Sequence, residues 1–235
     1  MTLLYLCSAI VILMACGVGS IPDRPEQDMT EQRRRMVAEQ LRARDIRDAR
    51  VLAAMERVPR HRFVPEDARA SAYEDHPLSI GHGQTISQPY IVAFMSQALD
   101  VRKTDTVLEI GTGSGYQAAI LGELAGQVYT IEIVEPLAHS AKKTLEDLGY
   151  RNVHVRAGNG YAGWPEQAPF DRIMVTAAPD EVPPALIEQL KVGGLMAIPV
   201  GTVIQELRIM RKTDKGMEVL QTLPVRFVPM TGKVR

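Results

Sequence analysis

The residues best suited to chemistry fall in a few short stretches. Gly83-Gln84-Thr85-Ile86-Ser87-Gln88-Pro89-Tyr90 is rich in small hydroxyl and amide groups. Glu109-Ile110-Gly111-Thr112-Gly113-Ser114-Gly115 joins a short apolar run to a helical pattern. Glycines at such a handover let the chain turn tightly and let a nucleotide-like ligand approach the backbone. Glu132 follows about 20 residues on, at the end of the next apolar run, where a carboxylate can accept hydrogen bonds from ribose hydroxyls. The glycine loop and Glu132 together imply an adenosine-containing ligand at the carboxyl ends of strands, whereas Thr85 and Ser87 read by themselves as turn-forming residues.

The identity of that ligand turns on Glu109. In the dinucleotide fingerprint, Gly-x-Gly-x-x-Gly, helix amides face a pyrophosphate. Here the third glycine comes one residue early, and a carboxylate directly precedes the loop. Glu109 would repel a pyrophosphate but suits a ligand carrying an ammonium group. S-adenosylmethionine, with its amino-acid tail and sulfonium and no phosphate, meets both conditions. Other chemistries lack their residues. The five histidines show no paired ligand spacing, and Cys7 and Cys16 both lie in the first apolar stretch. A metal site is therefore not expected, nor a disulfide framework. His82, between two glycines, tempts a general-base role, although His61, His76, His139 and His154 read as surface or structural. A net charge of −1 gives no support to nucleic-acid binding. The arginines between Arg33 and Arg60 are interleaved with acids and read as a solvated helix face.

These residues need a scaffold, and the hydrophobic pattern supplies one. Helices are predicted from Thr30, as N-cap, with Met36, Val37, Gln40, Leu41 and Arg44 on helical spacing, and over Asp48 to Arg57 with Val51, Leu52 and Met55 inward. Residues 59–90 read as a long structured loop, and a helix resumes over Tyr90 to Leu99. Apolar strands at Thr106–Ile110, Val128–Ile131, Val153–Val155, Arg172–Thr176 and Leu195–Pro199 then alternate with helices at Tyr116–Leu124, Pro136–Leu148 and Pro184–Leu190. That alternation predicts an α/β fold with a mostly parallel, doubly wound sheet. Glu206–Arg211 and Val219–Val228 read as an antiparallel C-terminal edge.

Residues 1–28 stand apart, and the domain is expected to span 29–235. The uncharged run from Leu3 to Gly19 is the length of a short membrane span or a signal-peptide core. Three readings stay open. One is an exported lipoprotein, on the loose Leu13-Met14-Ala15-Cys16 pattern. Another is a membrane anchor that keeps the domain in the cytoplasm, because the positive charges follow the run. The last is a true start at Met29. A cytosolic methyl donor argues against export, so the expected location is cytoplasmic, with membrane contact only if residues 3–19 are retained.

The chain resembles the protein-L-isoaspartate O-methyltransferases. The resemblance rests on GQTISQPY at Gly83 to Tyr90 and VLEIGTGSGYQAA at Val107 to Ala119. Gly163-Trp164-Pro165, Ala168-Pro169-Phe170-Asp171, Val175-Thr176-Ala177-Ala178-Pro179 and Val225-Arg226-Phe227-Val228-Pro229 extend it. It runs in order from about Thr30 to the C-terminus. It implies a Rossmann-like fold using S-adenosyl-L-methionine, with extra N-terminal helices. The implied substrate is the free α-carboxyl of L-isoaspartyl residues in damaged proteins and peptides, whose ester collapses to a succinimide and partly returns to aspartate. Ser87 matches the active-site serine and Thr85 the same loop. Glu109, Gly111 and Gly113 match the glycine loop, and Glu132 the ribose acid. Where the family has Gly-Asp-Gly beside the adenine, this chain has Gly158-Asn159-Gly160, and Asn159 can still accept a hydrogen bond without the charge.

A carboxyl with a pKa near 4 is already ionised at pH 7, so positioning and water exclusion carry the catalysis and no base is required. Ser87 then serves as a donor to the carboxylate rather than a nucleophile. A monomeric enzyme is expected. The alternatives are a methyltransferase of another small-molecule or protein substrate, and a binding protein that keeps the fold without turnover.

Overall fold

The structure, a computed structural model, describes residues 24–232 of the 235-residue chain. The uncharged run at 3–19 lies outside the described residues. Among the described residues, no helix is long and apolar enough to cross a membrane.

Helix α1 (Arg24–Arg35) continues into a π-helical turn over Met36–Arg42, and α2 (Ala49–Arg57) follows. Asp48 caps α2 by accepting from the Arg50 amide at 2.8 Å, which satisfies one of the orphan donors at a helix start. Met36, Val37, Leu41, Val51, Leu52 and Met55 are buried as their spacing predicts. Thr30 is not an N-cap. It lies inside α1, and its hydroxyl donates back to the Glu26 carbonyl at 3.0 Å. Pro25 occupies the first turn, where a missing amide hydrogen is harmless, so the helix begins upstream of Met29. The boundary expected between residues 28 and 29 therefore falls within a helix.

The expected loop at 59–90 holds two 3-10 turns, Arg60–Phe63 and Glu66–Ser71, and a small hairpin of β1 (Leu78–Gly81) and β2 (Gln84–Ile86). Strands of four and three residues are too short to show alternation. Gly81, His82 and Gly83 make the turn, each with positive φ. Helix α3 (Pro89–Ala98) then runs to the main sheet. Arg60 is fully buried beneath it all. Its Nε donates to the Ala72 carbonyl at 2.8 Å and its guanidinium lies 4.9 Å over the Tyr116 ring.

The alternating part follows the predicted order: β3 (Thr106–Ile110), α4 (Tyr116–Leu124), β4 (Gln127–Glu132), α5 (Glu135–Asp147), β5 (Val153–Ala157), β6 (Phe170–Val175), α6 (Pro184–Gln189), β7 (Leu190–Val200), β8 (Gln205–Thr213) and β9 (Gly216–Val225). The seven-stranded sheet has the order β5-β4-β3-β6-β7-β8-β9. Its strands are parallel from β5 through β7, while β8 and β9 run antiparallel at the edge. Strand β7 starts five residues before its expected beginning, because Leu190 already pairs with Phe170 ahead of a bulge. Strand β9 ends at Val225, since the residues after it leave the sheet to cross its end.

Side chains alternate across the sheet. Val107, Val128, Met174 and Ala197 pack toward the N-terminal helices and α4, whereas Leu108, Ile173 and Met196 pack toward Leu186 of α6. From β3 the chain winds one way to β4 and β5, and the later strands β6 and β7 lie on its other side. Such a reversal opens a crevice at the carboxyl ends of the strands. Leu108, with no exposed surface at the centre of the sheet, tests this core. Leu108→Ala should lower unfolding stability by about 2–5 kcal/mol, read by urea denaturation as a lower midpoint with an unchanged slope.

Candidate active site

The glycine loop sits on the end of β3 and is stitched to its neighbours by backbone bonds. The Gly111 amide donates to the Ile131 carbonyl at 2.8 Å. Across the crevice, the Thr176 hydroxyl just beyond β6 reaches the carbonyls of Gly111 at 2.6 Å and Ile110 at 3.1 Å. A β-carbon on Gly111 would collide with that hydroxyl, and its φ of +97° suits glycine as well. Gly160, after β5, is equally confined, since a β-carbon there would run into Ile110 Cγ2.

A cavity opens above this floor. Thr85, Ser87, Gly111, Gly113, Glu132 and Gly160 all line it, so most of the expected site residues come together. Glu132 is the one charged side chain among the described residues of its wall. Its Oε2 accepts from the Gly113 amide at 2.8 Å and its Oε1 from the Val134 amide at 2.9 Å. Each carboxylate oxygen keeps a lone pair for a further hydroxyl donor. The Ser87 hydroxyl is half-buried and makes no hydrogen bond with any described residue, so it can donate to a ligand.

Two expected contacts take other positions. Glu109 lies beneath the loop rather than on the cavity wall, facing the helical layer with Thr130. It is fully buried. Thr130 donates to its Oε2 at 2.5 Å, Thr112 and Thr130 share a hydroxyl contact at 2.6 Å, and Oε1 has no partner among the described residues. Burial pushes its carboxyl up to about 8; the Thr130 hydroxyl offsets part of that rise and nearby Glu132 adds to it. Asn159 is absent from the cavity wall as well. Its Oδ1 caps the Tyr161 amide at 3.0 Å and its Nδ2 donates to the Gly232 carbonyl. The side chain thus ties the turn after β5 to the end of the chain.

The site also uses residues to which the sequence by itself assigns no individual role, although Thr176, Ala177, Val228 and Pro229 fall in stretches that carry the family resemblance. Thr176, Ala177 and the strap Val228-Pro229-Met230-Thr231 complete the cavity wall. Gln205 clasps the strap with both ends of its amide, donating to the Phe227 carbonyl at 3.1 Å and accepting the Phe227 amide at 2.6 Å. Ala178 holds the other side, its amide donating to Val228 and its carbonyl accepting from Met230, each at 2.8 Å. The signal was a Pro-ended apolar run after a strand, which reads as ordinary edge. Trp164 packs edge-on to Tyr129 and under Arg156, in a loop-packing role. His82 is exposed at the hairpin tip and lies on neither cavity wall described here.

These residues suit an adenosyl sulfonium donor. The wall carries a single carboxylate placed for hydroxyl groups, with a buried, unpartnered carboxyl oxygen under the loop and no cation set for a phosphate. The fold and site together define a Rossmann-like methyltransferase. The sequence profile of protein-L-isoaspartate(D-aspartate) O-methyltransferases matches residues 31–235. A protein-L-isoaspartate O-methyltransferase of Opitutus terrae is 58% identical over 216 residues, covering 91% of this chain and 93% of its own. One from Gloeobacter violaceus is 57% identical over 198 residues, covering 83% and 97%. A solved Plasmodium falciparum structure of this kind, in complex with S-adenosyl-L-homocysteine, superposes with a TM-score of 0.74 at 25% identity, over 85% of this chain and 98% of that one. This chain belongs to the protein-L-isoaspartate(D-aspartate) O-methyltransferase family.

The buried Glu109 gives a pH signature. Its carboxyl rises from an ordinary value near 4.5 to about 8 in the folded state, so folding favours the protonated form. That contribution is complete below about pH 4.5 and is lost as pH rises through about 8. The thermal midpoint of the donor-free protein should fall between pH 5 and 8, and fall less in Glu109→Gln. Parallel profiles for the two proteins would remove the assignment.

Proposed function

We propose that this chain methylates the free α-carboxyl of L-isoaspartyl residues in damaged proteins and peptides, with Ser87 orienting the carboxylate. The observation that carries the reading is the position of Ser87 and Thr85, which lie on the wall shared by the donor cavity and a second, adjoining groove. A group held beside Ser87 faces both a donor and the outside.

S-adenosyl-L-methionine, when bound, supplies an activated methyl group. Glu132 would accept from its ribose hydroxyls, the backbone at Gly111 and Gly113 would lie against it, and Glu109 would act from beneath the loop. Thr85 and Ser87 stand where the acceptor enters. The Ser87 hydroxyl has no partner among the described residues to give up, so it can donate one hydrogen bond to a carboxylate oxygen and leave the other oxygen exposed to the donor. The carboxylate is ionised before it arrives, so no proton must be removed. The absence of a histidine from the described lining of both cavities is consistent with that chemistry. The strap over the crevice limits water, and positioning supplies most of the acceleration.

A monomer remains the expected working unit. The donor is a cytosolic metabolite, which supports a cytoplasmic site of action, with the methyltransferase domain carried by residues 29–235 and membrane contact only if residues 3–19 are retained.

The direct test offers labelled donor with an isoaspartyl peptide and with its normal aspartyl twin. Base-labile label should appear on the isoaspartyl peptide alone. Equal labelling of both would point to a different acceptor, and donor binding without transfer to any carboxylate would point to a non-catalytic protein. Ser87→Ala should slow turnover by about ten- to a hundredfold, the worth of one hydrogen bond to a charged group. Calorimetry should find donor affinity nearly intact, and unchanged turnover at saturating peptide would reject the role.

A further inference from the structure

The groove beyond Ser87 is built from neutral surface with one exception. Ile91, Val203 and Phe227 give it apolar walls, and Gln88 and Thr202 add uncharged polar groups. Arg226 is the one formally charged side chain among the described residues that line it. It is exposed, and it makes neither an ion pair nor a hydrogen bond with any described residue. Many other arginines of this surface are matched. Arg44 pairs with Asp75, Arg50 with Asp48, and Arg208 with Glu206.

An exposed arginine is ordinarily a solvated charge. Two further observations separate this one from that case. It stands on a fixed backbone, because the next two residues are held by Gln205 and Ala178. It also faces a concave surface that is continuous with the acceptor position through Thr85, Ser87, Thr176, Val228 and Pro229. An uncompensated charge on the wall of an apolar cleft is less screened than one on an open surface, and it raises the local concentration of opposite charge. The donor cavity shows the reverse sign at Glu132. The two halves of the site are thus polarised, with the carboxylate on the donor side and the guanidinium on the acceptor side.

We propose that Arg226 is a specificity-determining residue, which favours isoaspartyl sites whose neighbouring residues are acidic. The inference rests on the carboxyl-methyltransferase reading and adds a substrate preference to it. A peptide presenting its isoaspartyl carboxylate to Ser87 must lay its flanking residues along this groove, where a glutamate or aspartate side chain meets Arg226 and a lysine is repelled. Arg226 lies outside the donor cavity, so its effect falls on peptide capture.

The test uses the full chain and three isoaspartyl peptides, identical except that the two positions next to the isoaspartyl residue carry glutamate, glutamine or lysine. In the unaltered protein, KM should rise from the glutamate to the glutamine to the lysine peptide, by about two- to fivefold at each step. The spread should narrow as ionic strength rises. Arg226→Lys should keep the order, Arg226→Gln should abolish it, and Arg226→Glu should reverse it, with the spread in KM rather than kcat. An order that survives in Arg226→Gln, or equal KM values for the three peptides in the unaltered protein, overturns the proposal while the methyltransferase reading stands. Failure to methylate any isoaspartyl peptide, including the glutamine one, removes both.

Discussion

One close approach holds the site open and in register. The end of β3 and the end of β6 diverge at the point where the winding of the sheet reverses, and the Thr176 hydroxyl bridges the gap by bonding to the carbonyl of Gly111. That contact is possible only because Gly111 has no side chain to occupy the same space. The amide of Gly111 is meanwhile drawn toward β4 through Ile131. One residue therefore joins three strand ends, and the cavity floor is the surface they share. A bulkier residue at 111 would push β6 away and widen the crevice into which a donor must fit.

Charge is distributed around that floor in a way that suits carboxyl methylation. Glu132 stays on the wall, where each oxygen accepts from a backbone amide and keeps a lone pair for a further donor. Glu109 sits deeper and burial holds it largely protonated near neutrality. The two acidic side chains thus differ in setting, one accepting from amides at the cavity wall and the other enclosed beneath the loop. On the acceptor side the wall offers hydroxyls and amides. In the proposed reaction a carboxylate arriving there would need orientation and shelter from water, which small neutral donors could provide without competing for the methyl group.

The parts of the fold outside the sheet shape access to the crevice. The N-terminal helices and the β1–β2 hairpin bring Thr85 and Ser87 to its mouth, and the buried Arg60 couples that layer to α4 by lying over the Tyr116 ring, whose residue also borders the cavity. From the opposite direction, the segment after β9 crosses the strand ends as a strap. Its backbone is secured by a side-chain amide on one edge and a short bridge at Ala178 on the other. The cavity is therefore closed by segments about 140 residues apart in sequence, Thr85–Ser87 and Val228–Thr231.

Much of this was legible in the sequence. Short apolar runs ending in glycine or acid, alternating with helical spacing, determined the parallel sheet and its order of elements, since each pattern reflects a local burial requirement. The same local logic marked Gly111, Gly113 and Glu132, whereas the segment around Ser87 stood out only through its resemblance to the family. Tertiary structure alone decided what depends on packing between distant segments. It placed Glu109 under the loop against Thr130, gave Asn159 to the Gly232 carbonyl and the Tyr161 amide, and began α1 ahead of Met29. It also turned Thr176, Gln205 and the strap into parts of the site. Periodicity reports which face of an element is buried; it carries no information on which remote backbone or side chain fills the space above a strand end, because that is set by the closure of the whole chain.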